Sequence, residues 1–448
     1  MTTEGRRRPP GQLVAALLAA MPGLVFGAAT YLGLPHPEMP PPLAAVVYGV
    51  AIIGAAFTLS WGAEAAQVDI SAGLAIALLA LIAVLPEYAV DFVFTWQAGQ
   101  IYEANGGQCV PLPGGANPCS LALANMTGAN RVLVGVGWPL IILVASIAVW
   151  RSRRHGGGES STTHHDEVDL APAMSAEVVF LGLATLYSLT LPLRTSLTLL
   201  DLAVFVAIFA AYAWRLAQAP AQEPDLVGVS AWAGEKPRRA RRAWVLGMFA
   251  VAGLVILATA EHFAQSLVDA GTELGIDQFL LVQWVAPLAS ESPELIVACL
   301  YAMRLKASDS LGTLLSSKVN QWTLLVGTIP LVFAVSATTI DGLPLDMNQR
   351  LELLITAAQS LFAVALLMDL RLSRRGAAAL FTLFAVQFTV SVTAGPAVNR
   401  ITILVLSAVY ILLAIAQMLR LRRRVARTVR DGFAAPYAEL EQDEPAAR

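Results

Sequence analysis

Charge is scarce in this chain. Asp, Glu, Lys and Arg make up 14% of its 448 residues, against about 25% in soluble globular domains. A deficit of that size excludes an ordinary water-soluble fold. Cysteine is scarcer, with 3 in all, too few for a disulfide framework. Histidine numbers 5. The adjacent pair in "THHDEVD" at 163–169 lacks the spaced partners of a metal site, so the segment reads as a disordered polar loop. A phosphate-binding loop, a zinc-protease helix and a redox motif are all missing. Nothing points to a nucleic-acid partner.

Apolar residues are abundant, at 56%. Runs of about 20 recur from end to end, the length that crosses a bilayer as a helix. The expected fold class is an all-α polytopic membrane protein of about 12 transmembrane helices. The candidate spans lie near 12–34, 42–66, 70–97, 120–150, 175–193, 196–217, 243–269, 276–304, 309–337, 350–370, 376–394 and 398–420. The first apolar run is long enough to span and lacks a small-residue cleavage site, so it reads as a helix and not a signal peptide. Basic clusters at the N-terminus and at 151–155, 235–242, 304–306, 371–375 and 420–427 all fall on one side of such a bundle. That bias marks the cytoplasmic face and puts both termini there, in a protein of the cell (plasma) membrane. Arg194 and Arg400 are exceptions on the outer face. Cys109 and Cys119 share an outer loop, where pairing is open to them. Cys299 reads as packing, and the tail "YAELEQDEPAAR" as disordered.

The chain repeats itself. "AEAAQVDISAG" leads into "LLALIAVLPEYAV", and later "AEHFAQSLVDAG" leads into "LVQWVAPLASESPELIV". Each Pro-Glu pair is followed by a helix with matched features, "NRVLVGVG" from Asn130 and "NQWTLLVG" from Asn320. The two Pro-Glu spans enter from opposite sides, so the repeats are inverted, with a binding site expected where the halves meet. The organisation reads as 1–11 cytoplasmic, an additional span at 12–34, a first repeat at 42–217, a basic linker at 218–242, a second repeat at 243–394, a final span at 398–420 and a tail from 421.

A carboxylate at mid-membrane costs about 2.5–3.5 kcal/mol on insertion scales and faces the bundle interior or a wet path. Proline frees the carbonyl four residues back, here Ile82 for Pro86 and Ala289 for Pro293. Such breaks survive at depth only where the backbone is buried in protein or lines a cavity. Carboxylate and carbonyl oxygens are the ligands that hard cations such as Ca²⁺ prefer. Two such breaks meeting from opposite sides would form an oxygen cage around Glu87 and Glu294.

These residues resemble the sodium/calcium exchanger superfamily of cation antiporters. Its repeats carry Gly-Thr-Ser-Leu-Pro-Glu and a following Gly-Asn-x-x-Gly-Ser-Asn. Residues 274–294 match the second-repeat motif and its lead-in, and "ANMTGAN" at 124–130 matches the first-repeat helix. The resemblance implies Glu87 and Glu294 as the central glutamates and Ser290 as the motif hydroxyl. Asn125, Gly128 and Asn130 match the following helix. Asn320 pairs with Asn130 by the repeat spacing, with Ser317 matched instead at a shift of two. Departures are Ala83 and Val84 in place of Thr-Ser, Glu291 in place of Ser, Asp91 one turn after Glu87, and the cations Arg131 and Lys318.

The implied function is secondary active antiport of Ca²⁺ or Na⁺ against H⁺ or Na⁺, with alternating access at a midplane carboxylate site. The expected ligand set is Glu87, Asp91, Asn125, Asn130, Ser290, Glu291, Glu294 and Asn320, with no cofactor beyond the transported cations. Closely spaced carboxylates cannot all ionise without a cation, which favours competition between H⁺ and metal and puts proton coupling ahead of sodium. Lys318 is placed to stand in for a bound Na⁺ beside Glu291. The alternatives are a non-transporting member of the fold, or an intramembrane enzyme; the latter would need a paired nucleophile or metal triad, and none is visible. Glu64, Glu261, His262 and Gln265 sit near span ends, where capping is the expected role, and Glu177 and Asp201 read as helix-end residues.

Overall fold

A computed structural model describes residues 10–69, 85–111, 117–154, 167–219 and 226–442. Helices α1 (Gly11–Tyr31) and α2 (Pro41–Ala66) come first. α3 (Leu85–Ala104) carries Glu87; the first half of that expected span, with Ile82, Ala83 and Val84, lies outside the described residues. α4 (Pro118–Val132) passes through a π-helical turn (Leu133–Gly137) into α5 (Trp138–Arg154). α6 (Ser175–Ser188), α7 (Leu199–Leu216) and the short α8 (Val229–Gly234) follow. α9 (Arg238–Leu274) leads to α10 (Gln278–Met303), which carries Glu291 and Glu294. α11 (Ala307–Asn320) crosses a second π turn (Gln321–Leu325) into α12 (Val326–Ser336). α13 (Met347–Leu367), α14 (Arg374–Thr393), α15 (Pro396–Arg420), α16 (Arg422–Phe433) and α17 (Tyr437–Gln442) complete the described chain.

Among the described residues, 10 helical stretches are long and apolar enough to cross a membrane. The other two expected spans are the Pro-Glu helices α3 and α10. Local sequence sets the ends. Pro41, Pro118 and Pro396 stand in first turns, where their missing N–H is unneeded. Asp346 and Gln349 form a capping box on α13, as Thr198 and Asp201 do on α7. Gly275 ends α9 in the left-handed region at φ 65.

Loops assigned to the same face from their charge find one another. At one end Ser196–Leu197 (β2) pairs with Leu343–Pro344 (β3), Ser120 donates to Asp346 at 2.8 Å, and Cys109 and Cys119 form a disulfide. Arg194, an exception to the charge rule, pairs there with Asp201 at 2.7 Å. At the other end Glu167–Asp169 (β1) pairs with Arg371–Ser373 (β4). Arg241 meets Asp69 at 2.7 Å, with Arg242 and Arg238 behind it; the Arg241 hydrogen bond holds that carboxyl below its usual range.

Three expectations change. Residues 167–169 of the "THHDEVD" segment are a strand and not disordered loop, because Arg371 pairs with both Glu167 and Asp169; residues 163–166 lie outside the described set. Residues 437–442 of the tail "YAELEQDEPAAR" are a helix and not disordered, because Arg215 donates to the carbonyls of Asp431, Gly432 and Ala435 just before it and stacks on Tyr437; residues 443–448 are not described. Finally, α10 is helical throughout, without a break at Pro293. Proline removes one ladder bond only, and Ser290 and Ser292 hydroxyls donate to the carbonyls of Pro287 and Leu288 around it.

Packing around the centre is close. α10 packs on α4, and α3 on α4 and α12. At the α4–α10 crossing a Cβ on Gly128 would lie 1.7 Å from the Gln283 carbonyl oxygen. Only glycine lets the backbones approach so far. Gly128→Ala therefore overpacks the crossing, at about 1–3 kcal/mol. A lowered thermal unfolding midpoint in detergent, relative to Gly247→Ala at an open position, is the expected result.

Candidate cation site

Glu87 sits at the start of the described part of α3 with no exposed surface, and Asp91 and Thr95 follow at one-turn intervals, both buried. That spacing puts three oxygen-bearing side chains on one helical stripe. On α10, Ser290 and Glu291 are buried, and Glu294 lies one turn from Ser290 with both carboxylate oxygens shielded from solvent. The structure brings these sets together: Glu87 lies within electrostatic reach of Glu294, Asp91 and Glu291.

The polar partners are few. Asn125 on α4 donates from Nδ2 to Asp91 Oδ1 at 2.8 Å. Gln321, first residue of the second π turn, donates from Nε2 to Glu291 Oε1. Among the described residues, both carboxylate oxygens of Glu87 and of Glu294, Glu291 Oε2, Asp91 Oδ2 and Asn125 Oδ1 find no hydrogen-bond partner of normal geometry. Orphaned buried acceptors carry a full desolvation cost, and buried carboxylates more. An all-oxygen set lacking donors is what a hard cation or protons would satisfy.

Asn130 is buried on α4, but its Oδ1 accepts from Lys318 Nζ at 2.7 Å and its backbone oxygen accepts from the same ammonium at 2.8 Å. Its expected ligand oxygen thus faces a lysine. Lys318 forms these bonds and no ion pair with Glu291, although that carboxylate is within electrostatic reach. Asn320 is buried on α11. Aligning the two π turns residue for residue sets Lys318, and not Asn320, against Asn130, and matches Ser317 with Ala129. Counted from the π turns, the register differs by two residues from the Asn130–Asn320 spacing and brings Lys318, not Ser317, to Asn130.

Arg131 turns away from the cluster. It meets Glu352 of α13 at 2.7 Å, with 1% and 7% of the two side chains exposed, and lies over the Trp284 ring at 4.7 Å. Gln283 donates to Glu352 at 3.1 Å and to Thr127 at 3.4 Å. The sequence reading missed Glu352, Gln283 and Gln321. The signal for Glu352 was there, in a polar stripe of Glu352, Thr356 and Gln359 along an apolar span.

The span-end residues find local partners. Glu64 accepts from Ser230 at 2.6 Å, Glu261 from Tyr31 at 2.6 Å, and Gln265 donates to Asp269 at 2.9 Å. His262 packs against Tyr31 and Tyr48. Asp201 belongs to the α7 capping box, and Glu177 is in the first turn of α6. A cavity of about 660 Å³ runs from Asp91 and Thr95 to Glu261 and Tyr31. A second, of about 470 Å³, opens toward the other end beside Glu64 and Tyr301.

A family model described as "Sodium/calcium exchanger protein" matches residues 41–217 and 244–393. The chain belongs to the sodium/calcium exchanger family. A solved structure, the crystal structure of the H⁺/Ca²⁺ exchanger CAX, is 39% identical to this exchanger-family chain, with a TM-score of 0.80 over 97% of it and 98% of CAX. The selenium-substituted Ca²⁺/H⁺ antiporter YfkE shares the fold, at 14% identity and a TM-score of 0.54 over 84% of this chain and 98% of YfkE. No curated protein gives a significant match. The chain is thus a multi-pass membrane protein of an exchanger family.

The Arg131–Glu352 pair offers a test of which charges are structural. Breaking a buried pair from one side costs about 3–5 kcal/mol, whereas replacing both partners with apolar residues is far milder. Glu352→Leu alone should lower the detergent unfolding midpoint strongly, and the Arg131→Met, Glu352→Leu double variant should recover most of the loss.

Proposed function

We propose that this protein is a secondary active exchanger that carries Ca²⁺ against H⁺. The observation that carries the reading is the cluster of buried carboxylates of Glu87, Asp91, Glu291 and Glu294, most of whose oxygens find no partner among the described residues. Likeness to the H⁺/Ca²⁺ exchanger CAX along nearly the whole chain supports it. Glu87 and Glu294 are the central ligands of the transported cation. Ser290, Asn125 and Asn320 add neutral oxygens, and Asp91 and Glu291 carry the balancing charge or protons. Asn130 acts through Lys318. The basic end of the bundle faces the cytoplasm with both termini, in the cell membrane, in keeping with the Lys and Arg bias of its loops.

Exchange follows from charge balance. Four carboxylates so close cannot stay ionised without countercharge, so a departing Ca²⁺ is replaced by protons and an arriving one displaces them. Alternating access at the meeting of two inverted halves would carry each form across.

In proteoliposomes, an outwardly directed H⁺ gradient should drive ⁴⁵Ca²⁺ uptake. Glu87→Gln and Glu294→Gln should each reduce it about 100-fold or more, the loss of one buried charge partner, while the protein stays monodisperse. Apparent Ca²⁺ affinity should weaken as pH falls, since protons compete for the same oxygens. Uptake unchanged in both variants would remove the site assignment.

A further inference from the structure

Lys318 brings a positive charge to the centre of the bundle. Its side chain is fully buried, and two Asn130 oxygens converge on Nζ at 2.7 and 2.8 Å. Nζ also lies 5.1 Å from the Trp322 ring centroid. Two converging oxygens and an aromatic face are a setting that suits a small monovalent cation. An opposite charge, Glu291 on α10, is within electrostatic reach. The neighbouring cation, Arg131, is committed to Glu352.

Shape alone does not call for this charge. Taking an ammonium out of water costs several kcal/mol, and a glutamine amide would serve the Asn130 oxygens as a neutral donor. The π-turn register sets Lys318 and Asn130 at matching positions of the two halves, where they touch. One half therefore offers oxygens at this junction, and the other answers with a cation that belongs to the chain.

We propose that the Lys318 ammonium is a resident cation of the transport site, filling the place beside Asn130 and Glu291 that a transported monovalent cation would otherwise take, and thereby excluding Na⁺ from exchange. Lys318 is a specificity-determining residue in this reading, which rests on the exchange function proposed above. With its place taken by a tethered charge, Na⁺ finds no vacant oxygen at Asn130, and the carboxylates are left to a divalent cation and protons.

The test compares wild type, Lys318→Arg and Lys318→Gln in proteoliposomes, following ⁴⁵Ca²⁺ uptake under a H⁺ gradient with Na⁺ or choline as the bulk cation. Wild type and Lys318→Arg should be indifferent to Na⁺. Lys318→Gln should become sensitive, with Na⁺ shifting the apparent Ca²⁺ affinity about tenfold or more. A lysine that merely packs would lower uptake in Lys318→Gln without any response to Na⁺, and that result overturns the proposal. So does Na⁺ competition in wild type. If Lys318→Gln fails to fold, the Glu291→Gln, Lys318→Gln double variant removes both charges together and should show the same gain of Na⁺ sensitivity; its absence there overturns the proposal equally. Wild type that moves no Ca²⁺ under any gradient counts against exchange itself. Calorimetric Na⁺ binding, expected in Lys318→Gln and not in wild type, then still decides the role of the lysine.

Discussion

Carboxylates that cannot reach water govern this molecule. Glu87, Asp91, Glu291 and Glu294 share one buried space and, among the described residues, receive two amide donors, from Asn125 and Gln321. A cluster of that kind is tolerable only with countercharge. Three sources are conceivable in such a site: protons, a bound metal and a cationic side chain. Each leaves its trace here. On the function proposed above, the orphaned oxygens are places for the first two, and Lys318 is the third. The surrounding bundle exists to hold these groups at fixed separation while keeping lipid away from them.

The neighbouring polar network shows how the charges are kept apart. Arg131 follows Asn130 directly in the chain, yet it pairs with Glu352 and stacks on Trp284. Left free, it would compete with any cation for the glutamates. Gln283 braces the same pair from α10, at the level where Gly128 brings the two backbones together. The site and this close α4–α10 crossing are therefore one piece of structure.

Much of this was legible in the sequence. Apolar runs gave the spans, arginine placement gave the pairing of loop ends, and the doubled Pro-Glu motif located Glu87 and Glu294. The Cys109–Cys119 disulfide was visible as an option and is formed. What the sequence hid has a common cause. The glycine spacing set Asn320 against Asn130, whereas the π turns set Lys318 there, because Gly137 closes one turn and Gly327 lies two residues past the other. The partners of Arg131 and Glu291 come from helices far off in the chain, and hydropathy does not report which polar residue faces which. The ordered tail depends on Arg215, whose three carbonyl acceptors lie more than two hundred residues away.

The two small ribbons have a mechanical meaning. β1 is tied to β4 at one end of the bundle, and β2 to β3 at the other. In each, a segment from the first half of the chain is laced to one from the second. The helices between these laces are strapped top and bottom into a single frame. Among the described residues, α1, α2 and α9 carry no strap, and they pack chiefly on one another. If anything in this molecule is to travel like a piston against a fixed housing, the lacing decides which part is the housing.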